Sequence, residues 1–320
     1  VSPGEATSPT IGVDLGGTNL RVAVVDRGGA ILGEQHEPTP KDWDDLVAAM
    51  VECVSALRKT HPDVGAVGVG AAGLVDKDGT IHYGPNLPMF IDAPLRKSLA
   101  DALSVPVVVD NDANAAAWGE VCHGAARGHD DALVITLGTG IGGGIVVNGS
   151  IYRGAHGFAG EVGHWQFDPR GPLCACGELG HWEAAASGTA LGRLARERAA
   201  AGDAPNVLAR AGGDLEQVDG HEVGDGARAG DPEALLILDD YAHVVAVGFA
   251  GLANILDPEI IVVSGGLVVL GDLLLDRLRA AFATHIEGAA HRPDVPIVAA
   301  ELEDRAGVVG AAALARDLVP

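Results

Sequence analysis

The sequence predicts an α/β protein built of two related domains, and three observations carry that expectation. Short apolar runs of strand length alternate along the chain with segments whose apolar residues recur every three or four positions. The arrangement of strand, glycine-rich turn and strand occurs twice, over residues 11–26 and again over 132–148. With 320 residues, 48% of them hydrophobic, the chain has room for one large or two medium packed domains.

Residues 11–15 are an apolar run broken by Asp14; Gly16, Gly17, Thr18 and Asn19 make a tight turn, and alternation over 20–26 brings the chain back as a second strand. A carboxylate at the end of a buried strand, followed at once by two glycines and a threonine, offers backbone N–H groups and a hydroxyl to phosphate, and an acid to hydrated Mg²⁺. An ordinary glycine hairpin has the same pattern. Residues 42–60 place Leu46, Val47, Met50, Val51, Val54 and Leu57 on one face of a helix. A buried strand follows over 64–70. The turn 84–88 contains Asn86, which presents an amide to a hydroxyl or serves turn geometry alone.

Another buried strand covers 105–109, and Asp110, Asn111 and Asp112 lead directly into a helix over 113–122. Any of the three can cap it, and one cap is enough. Three hydrogen-bonding side chains where a strand turns into a helix mark the usual ligand position of open α/β sheets. The helix dipole is expected to keep Asp112 ionised. After a polar break the pattern restarts: strand 132–137 with Thr136, a glycine-rich turn 138–144 that includes Gly138, Thr139 and Gly140, and strand 145–148. Two such turns are suited to clamp a triphosphate from both sides.

A helix is expected from 184 to about 202, and a loop-like, Gly/Asp-rich stretch over 203–226. Asp231, Pro232 and Glu233 open a long apolar helix that stops at Asp257-Pro258. Strand 260–263 ends in Ser264, Gly265 and Gly266, whose backbone can lie flat against a planar ring. A helix over 272–287, a strand over 295–299 and a helix over 306–318 close the chain. The last is alanine-rich on all sides and is expected to be buried at a domain junction.

Between these elements, residues 157–183 pack Glu161, His164, Cys174, Cys176, His181 and Glu183 into one irregular segment. Two cysteines and two histidines in this spacing are a plausible tetrahedral zinc set. Gly171, Pro172, Gly177 and Gly180 forbid a long helix or strand, so a closed metal site is a reason for the loop to keep a shape. Two reduced thiols without metal are the plainer alternative.

The 44 acidic against 21 basic residues give a net charge of −23, and no Lys/Arg-rich run occurs, which argues against nucleic-acid or anionic-membrane partners. No apolar run in the sequence approaches the ~20 residues of a membrane span; residues 244–256 come nearest. The first ten residues have no signal-peptide pattern, and four cysteines imply no disulfide framework, so a cytoplasmic location is expected.

The segments DLGGTNLR (14–21), VVVDNDANAAAWGE (107–120), LGTGIGGG (137–144), GEVGHW (160–165) and CACGELGHWE (174–183) together resemble the ROK family of sugar kinases and sugar-responsive repressors, most of all its actinobacterial ATP-dependent glucokinases. The resemblance covers residues 11–318. It implies an actin-like ATPase (ribonuclease H-like) fold: a small α/β domain over 10–118 with the helix 305–320 packed back on it, and a large α/β domain over 119–304 carrying a zinc loop over 157–183. It also implies Mg²⁺-dependent transfer of the ATP γ-phosphoryl group to glucose. Asp112 would be the general base, with Asn86, Asn111, Glu161, His164 and Glu183 on the sugar. Asp14, Gly16, Gly17, Thr18, Thr136, Gly138, Thr139 and Gly140 would hold the phosphates, and Gly265 and Gly266 would lie near the adenosine. Asp14 would act on Mg²⁺ through water, and His164, Cys174, Cys176 and His181 would hold Zn²⁺. The family usually carries a third cysteine where this chain has His181. A homodimer or homotetramer is implied. Mannose, N-acetylmannosamine or fructose as acceptor and polyphosphate as donor are the neighbouring possibilities. A sugar-sensing regulator is disfavoured by the charge and by the ten residues ahead of Ile11, too few for a DNA-binding module.

Overall fold

The computed structural model describes residues 8–84, 87 and 89–319; Asn86 of the expected 84–88 turn lies outside them. The chain divides into two compact units, one taking residues up to Val134, Gly143–Gly160 and everything from Glu301, the other Ile135–Gly142 and Glu161–Ala300. The expected boundary at 118/119 runs through a helix that stays whole in the first unit.

The first unit is built on a five-stranded sheet of β1 (Thr10–Leu15), β2 (Asn19–Val25), β3 (Ile31–Pro38), β4 (Val67–Ala71) and β7 (Val107–Asn111), in the order β3-β2-β1-β4-β7. β1 and β2 form the antiparallel hairpin of the first glycine turn, while β1, β4 and β7 run parallel. Leu15 pairs with Ala71 and Ala71 with Asn111, so the parallel strands end together. Asp14 and the Asn111–Asp112 turn therefore meet at the carboxyl edge of one sheet, where parallel strands deliver ligand-binding side chains. β5 (Leu74–Val75) and β6 (Ile81–Tyr83) form a small separate hairpin.

Helix α1 (Trp43–Thr60) is capped by Asp42 and buries Leu46, Met50, Cys53, Val54 and Leu57. Helix α2 (Leu95–Leu103) buries Leu95, Leu99 and Leu103, and α3 (Asp112–His123) follows β7 without a break. The closing helix α10 (Ala306–Ala315) is buried on all sides, and its partners β1, β4 and α3 all lie in this unit. A Cβ on Gly12 would stand 1.8 Å from Val308 O, one on Gly68 equally close to Ala311 O, and one on Gly310 1.7 Å from Ala115 O. Small residues on every face of α10 thus reflect backbone-to-backbone packing on both sides.

A second five-stranded sheet has the order β10-β9-β8-β11-β12, formed by β8 (Ala132–Leu137), β9 (Ile141–Val147), β10 (Ser150–Ile151), β11 (Ile260–Ser264) and β12 (Ile297–Ala299). It repeats the pattern of the first, an antiparallel meander followed by strands added on the other side, which bears out the reading of a duplicated α/β plan. The chain passes between the units within β8 and β9. Gly142, Gly143 and Gly144, expected in the second turn, belong to β9; a Cβ on Gly144 would stand 2.2 Å from the Ala117 methyl of α3. Gly144 thus allows close packing on α3, and the turn itself is only Gly138–Gly140.

The helix expected over 184–202 is two, α4 (Trp182–Ala186) and α5 (Gly188–Ala201), parted at Ser187, which caps the second. The stretch 203–226 is helical rather than loop-like, with α6 (Pro205–Arg210), a 3-10 turn at Leu215–Gln217 and α7 (Gly220–Arg228). A capping box between Asp219 and Glu222 and the buried Val207, Val218 and Val223 outweigh its glycines. Helix α8 (Pro232–Leu256) starts at its Asp231 cap and ends at Asp257. It is long and apolar enough to cross a bilayer, contrary to the expectation from run length; here it is a core helix, more than half buried. Trp182 packs so tightly on it that a Cβ at Gly248 would stand 2.1 Å from the indole. Helix α9 (Asp272–His285) completes the unit.

Candidate active site

In the first unit the turn after β1 is closed by Gly16 N–H donating to Asn19 O at 3.0 Å, and it is buttressed by Thr39, whose hydroxyl donates to Gly16 O at 2.8 Å. The Lys41 ammonium donates to Gly17 O. Lys41 thus brings a cation to the predicted phosphate turn, and no local pattern around it gave a signal. Asp14 is half-buried beside the start of α10, where a Cβ on Gly307 would stand 2.7 Å from its Oδ2. Burial first, and then the charge of Asp112, push its carboxyl up to about 6, with Arg21 pulling the other way. The Arg21 guanidinium is itself paired with Glu34, at 2.8 Å, and Asp304, at 3.2 Å.

Of the three candidates at the β7–α3 junction, Asn111 is the cap: its Oδ1 accepts from the N–H groups of Ala113, at 2.8 Å, and Asn114, at 3.1 Å. Its Nδ2 donates to Gly73 O at 3.1 Å. Asp112 is left as the first helical residue, its Oδ1 accepting from Ala113 N–H at 2.9 Å. Burial raises its pKa above the usual carboxylate range, and the hydrogen bonds from backbone N–H groups and Asn111 oppose that only in part. Desolvation thus opposes the field of the helix N-terminus, worth about 0.3–1 kcal/mol, which was expected to favour the ionised form.

In the second unit the turn Gly138–Gly140 is closed by Gly138 N–H donating to Gly140 O at 3.0 Å. Gly188 N–H donates to Gly138 O at 2.7 Å and the Thr189 hydroxyl to Thr139 O at 2.8 Å, so the N-terminus of α5 braces it. Gly138 and Thr139 line a cavity of about 410 Å³ together with Gly188, Thr189, Arg196, Asp219, Gly220, His221, Arg228, Gly266 and Leu267. Two helix N-termini, those of α5 and α7, reach this wall and favour an anion. Arg196 donates to Val218 O at 2.7 Å, and Arg228 to Asp225 at 3.0 Å and to Val269 O at 3.3 Å, which holds both cations in place. Gly266 lies on the wall. Gly265 and Thr136 do not; Gly265 is needed because its φ is +89° and a Cβ would stand 2.5 Å from Leu137 O. The α7 residues on this wall were missed because the stretch 203–226 reads as loop; α5 was expected as helix, but nothing in its local pattern brought Gly188, Thr189 and Arg196 to a binding wall.

His164, Cys174, Cys176 and His181 come together with all four ligand atoms within 4.8 Å of one another. His164 Nδ1 is 3.4 Å from His181 Nδ1, Cys174 Sγ 3.9 Å from His164 Nδ1, and Cys176 Sγ 3.2 Å from His181 Nδ1. Zinc bonds of about 2.0–2.3 Å at tetrahedral angles require edges of about 3.3–3.8 Å, so this donor set fits zinc. The loop is folded into a knuckle in which Gly177 N–H donates to Cys174 O at 2.9 Å and Cys174 N–H to Glu178 O at 2.8 Å. Burial pushes the Cys174 thiol up to about 11, and a bound dication would deprotonate it outright.

Glu183 links this loop to the second turn. Its Oε2 accepts from Ile141 N–H at 2.9 Å, and its Oε1 is 3.5 Å from Cys174 Sγ. A Cβ on Gly140 would stand 2.3 Å from Oε2, so only glycine admits the carboxylate there. Glu161 is exposed, and its carbonyl accepts from His164 N–H at 3.0 Å at the start of the 3-10 turn Val162–His164.

Residues 10–318 match the ROK family. A glucokinase of Streptomyces coelicolor is 42% identical over 97% of this chain and 98% of its own length. The crystal structure of a ROK family glucokinase from Streptomyces griseus in complex with glucose and AMPPNP superposes with a TM-score of 0.84, at 43% identity over 97% of this chain and 99% of that one. The ROK hexokinase of Thermus thermophilus gives 0.79 at 34% identity, over 97% and 99%. The fold shared with these structures is the actin-like ATPase fold that the sequence resemblance implied.

Proposed function

The chain belongs to the ROK family, and from that premise we propose that it transfers the γ-phosphoryl group of ATP to the 6-hydroxyl of glucose. The observation that carries the reading is Asp112: a carboxylate at a strand-to-helix turn, beside Asp14, whose surroundings raise its proton affinity. A base closer to neutral pH accepts a hydroxyl proton more readily than an ordinary aspartate, and such a group contributes about 10²- to 10⁴-fold to turnover. Whole-chain identity of 42–43% to glucokinases narrows the acceptor to glucose.

In this reading Asp112 takes the 6-hydroxyl proton as that oxygen attacks the γ-phosphorus, and ADP leaves with the electrons of the broken P–O bond. Asn111 holds a neighbouring hydroxyl, and Asn86, Glu161 and His164 hold the others. Glu183, whose Oε2 is engaged by Ile141 N–H, offers its Oε1 to the sugar. The turn Gly16–Thr18 with Lys41, and the turn Gly138–Gly140 with Thr136 behind it, receive phosphate oxygens. The cavity of about 410 Å³ suits a nucleoside, with Gly266 and Leu267 against the base. Mg²⁺, held through water by Asp14, would neutralise charge on the transferring phosphoryl group. Zinc on His164, Cys174, Cys176 and His181 would fix the His164 ring so that its Nε2 is directed by the metal loop. Cytoplasmic residence and a homodimer or homotetramer belong to the same reading.

The test is product analysis with glucose, mannose, N-acetylmannosamine and fructose as acceptors against ATP and polyphosphate as donors, with Asp112→Asn beside wild type. Glucose 6-phosphate from ATP is expected, and Asp112→Asn should keep both Michaelis constants while kcat falls about 10²- to 10⁴-fold. Near-normal turnover in Asp112→Asn would reduce Asp112 to a helix residue.

A further inference from the structure

Arg153 has no part in the reading above, and its surroundings give it one. It follows β10, and its Nε donates to Asp110 Oδ2 at 2.6 Å. The Asp110 side chain is only 5% exposed, whereas a third of the Arg153 side chain remains open to water. The other oxygen of the same carboxylate, Oδ1, accepts from the Asn111 backbone N–H at 2.8 Å and from Asn114 Nδ2 at 2.9 Å. One buried carboxylate thus gathers three donors: the backbone just before Asp112, a side chain of the first turn of α3, and a cation from a distant loop. Asn114 Oδ1 is buried with no hydrogen-bond partner among the described residues, so its amide takes its orientation from Asp110. Arg153 is itself held, because its carbonyl accepts from Ala159 N–H at 3.2 Å and Gly154 turns the chain at a φ of +71°.

We propose that Arg153 is a positioning residue for phosphoryl transfer: by pairing with Asp110 it fixes the Asn111–Asp112 turn and hence the direction of the Asp112 carboxylate. The proposal rests on the reading of Asp112 as the base of a glucose kinase. The physical argument is that a buried carboxylate tolerates its burial only while paired. Without the guanidinium, Asp110 is drawn toward water and takes with it the acceptor that holds Asn111 N–H and the Asn114 amide. Both lie within two residues of Asp112. Small displacements of a reacting group are costly; about 1 Å is worth on the order of 10²-fold in rate.

The experiment is steady-state kinetics of Arg153→Ala and Arg153→Lys beside wild type and Asp112→Asn, with thermal melting of each. In Arg153→Ala, kcat should fall about 10- to 100-fold, while KM for ATP stays within about two-fold, since Arg153 is not on the wall of the nucleotide cavity. Arg153→Lys keeps the charge and loses the planar fork, and should lie about 3- to 10-fold below wild type. A purely structural role would lower the melting temperature of Arg153→Ala and leave kcat per folded molecule within about two-fold of wild type; that result overturns the proposal alone. If Arg153→Ala does not fold, Arg153→Lys decides, and wild-type kcat in it overturns the proposal. Full turnover in Asp112→Asn overturns both the proposal and the reading beneath it.

Discussion

Replacing Asp14 by Asn should make the folded protein more stable at neutral pH, in the absence of divalent cations, while removing its proposed metal-binding charge. The Asp14 carboxyl, ordinarily near 3.8, is pushed up to about 6 by burial and by Asp112. The folded state therefore holds the proton more tightly than the unfolded chain. Stability from this group is fully present below 3.8 and is lost as pH rises through about 6. The gap of about 2 pH units, at about 1.4 kcal/mol each, makes Asp14 cost the fold about 3 kcal/mol at pH 7.5, where it must ionise in place, and about 1 kcal/mol at pH 4.5, where only the unfolded chain ionises it. The N-terminus of α10 beside it returns about 0.3–1 kcal/mol of that and does not change the sign. Asparagine matches the protonated carboxyl in size and removes the pH-dependent loss. Urea unfolding followed by circular dichroism in EDTA, at pH 4.5 and 7.5, measures the difference. The expected advantage of Asp14→Asn is about 3 kcal/mol at the higher pH and about 1 at the lower. A variant less stable than wild type at pH 7.5, or an advantage equal at both values, would refute the argument that desolvation dominates at Asp14.

Other outcomes follow from the same geometry. His181→Ala should lower zinc content, read by elemental analysis, and raise KM for glucose more than KM for ATP; a zinc-free variant of full activity would show that the loop holds its shape without metal. Gly12→Ala puts a methyl 1.8 Å from Val308 O and 2.8 Å from Ala312 N, both backbone atoms that cannot rotate away, and should cost about 1–3 kcal/mol or more in urea unfolding. Gly140→Ala drives a Cβ to 2.3 Å from Glu183 Oε2 and should break the Ile141 N–H bond. Its effect should appear in the Michaelis constants for both substrates, with thermal stability close to wild type.

The metal loop was legible because four soft or borderline ligands close in sequence must also be close in space. The helix start at Asp231-Pro232-Glu233 was legible because capping acts within four residues, and the observed cap is Asp231. β3 was not, since an edge strand with exposed Glu34, His36 and Glu37 lacks the apolar alternation that marks a half-buried one. Residues 203–226 misled for the opposite reason: their glycines and aspartates read as loop, while helix formation there depends on Val207, Val218 and Val223 finding a core. At the β7–α3 junction the sequence offered three possible caps and could not choose among them.

Local pattern, then, determined the family, the two glycine turns, the α/β repetition and the zinc-competent quartet, because each is written in residues only a few positions apart. Only tertiary structure decided that Asn111 caps α3 and leaves Asp112 as the first helical residue, that Glu183 is tied to Ile141, that Arg153 pairs with Asp110, and that α5 and α7 wall the cavity. Except for the cap, whose choice among three neighbours was local, those outcomes depend on burial and on contacts between residues tens of positions or more apart, and neither the desolvation of a carboxylate nor the room left beside a glycine exists until the chain has packed.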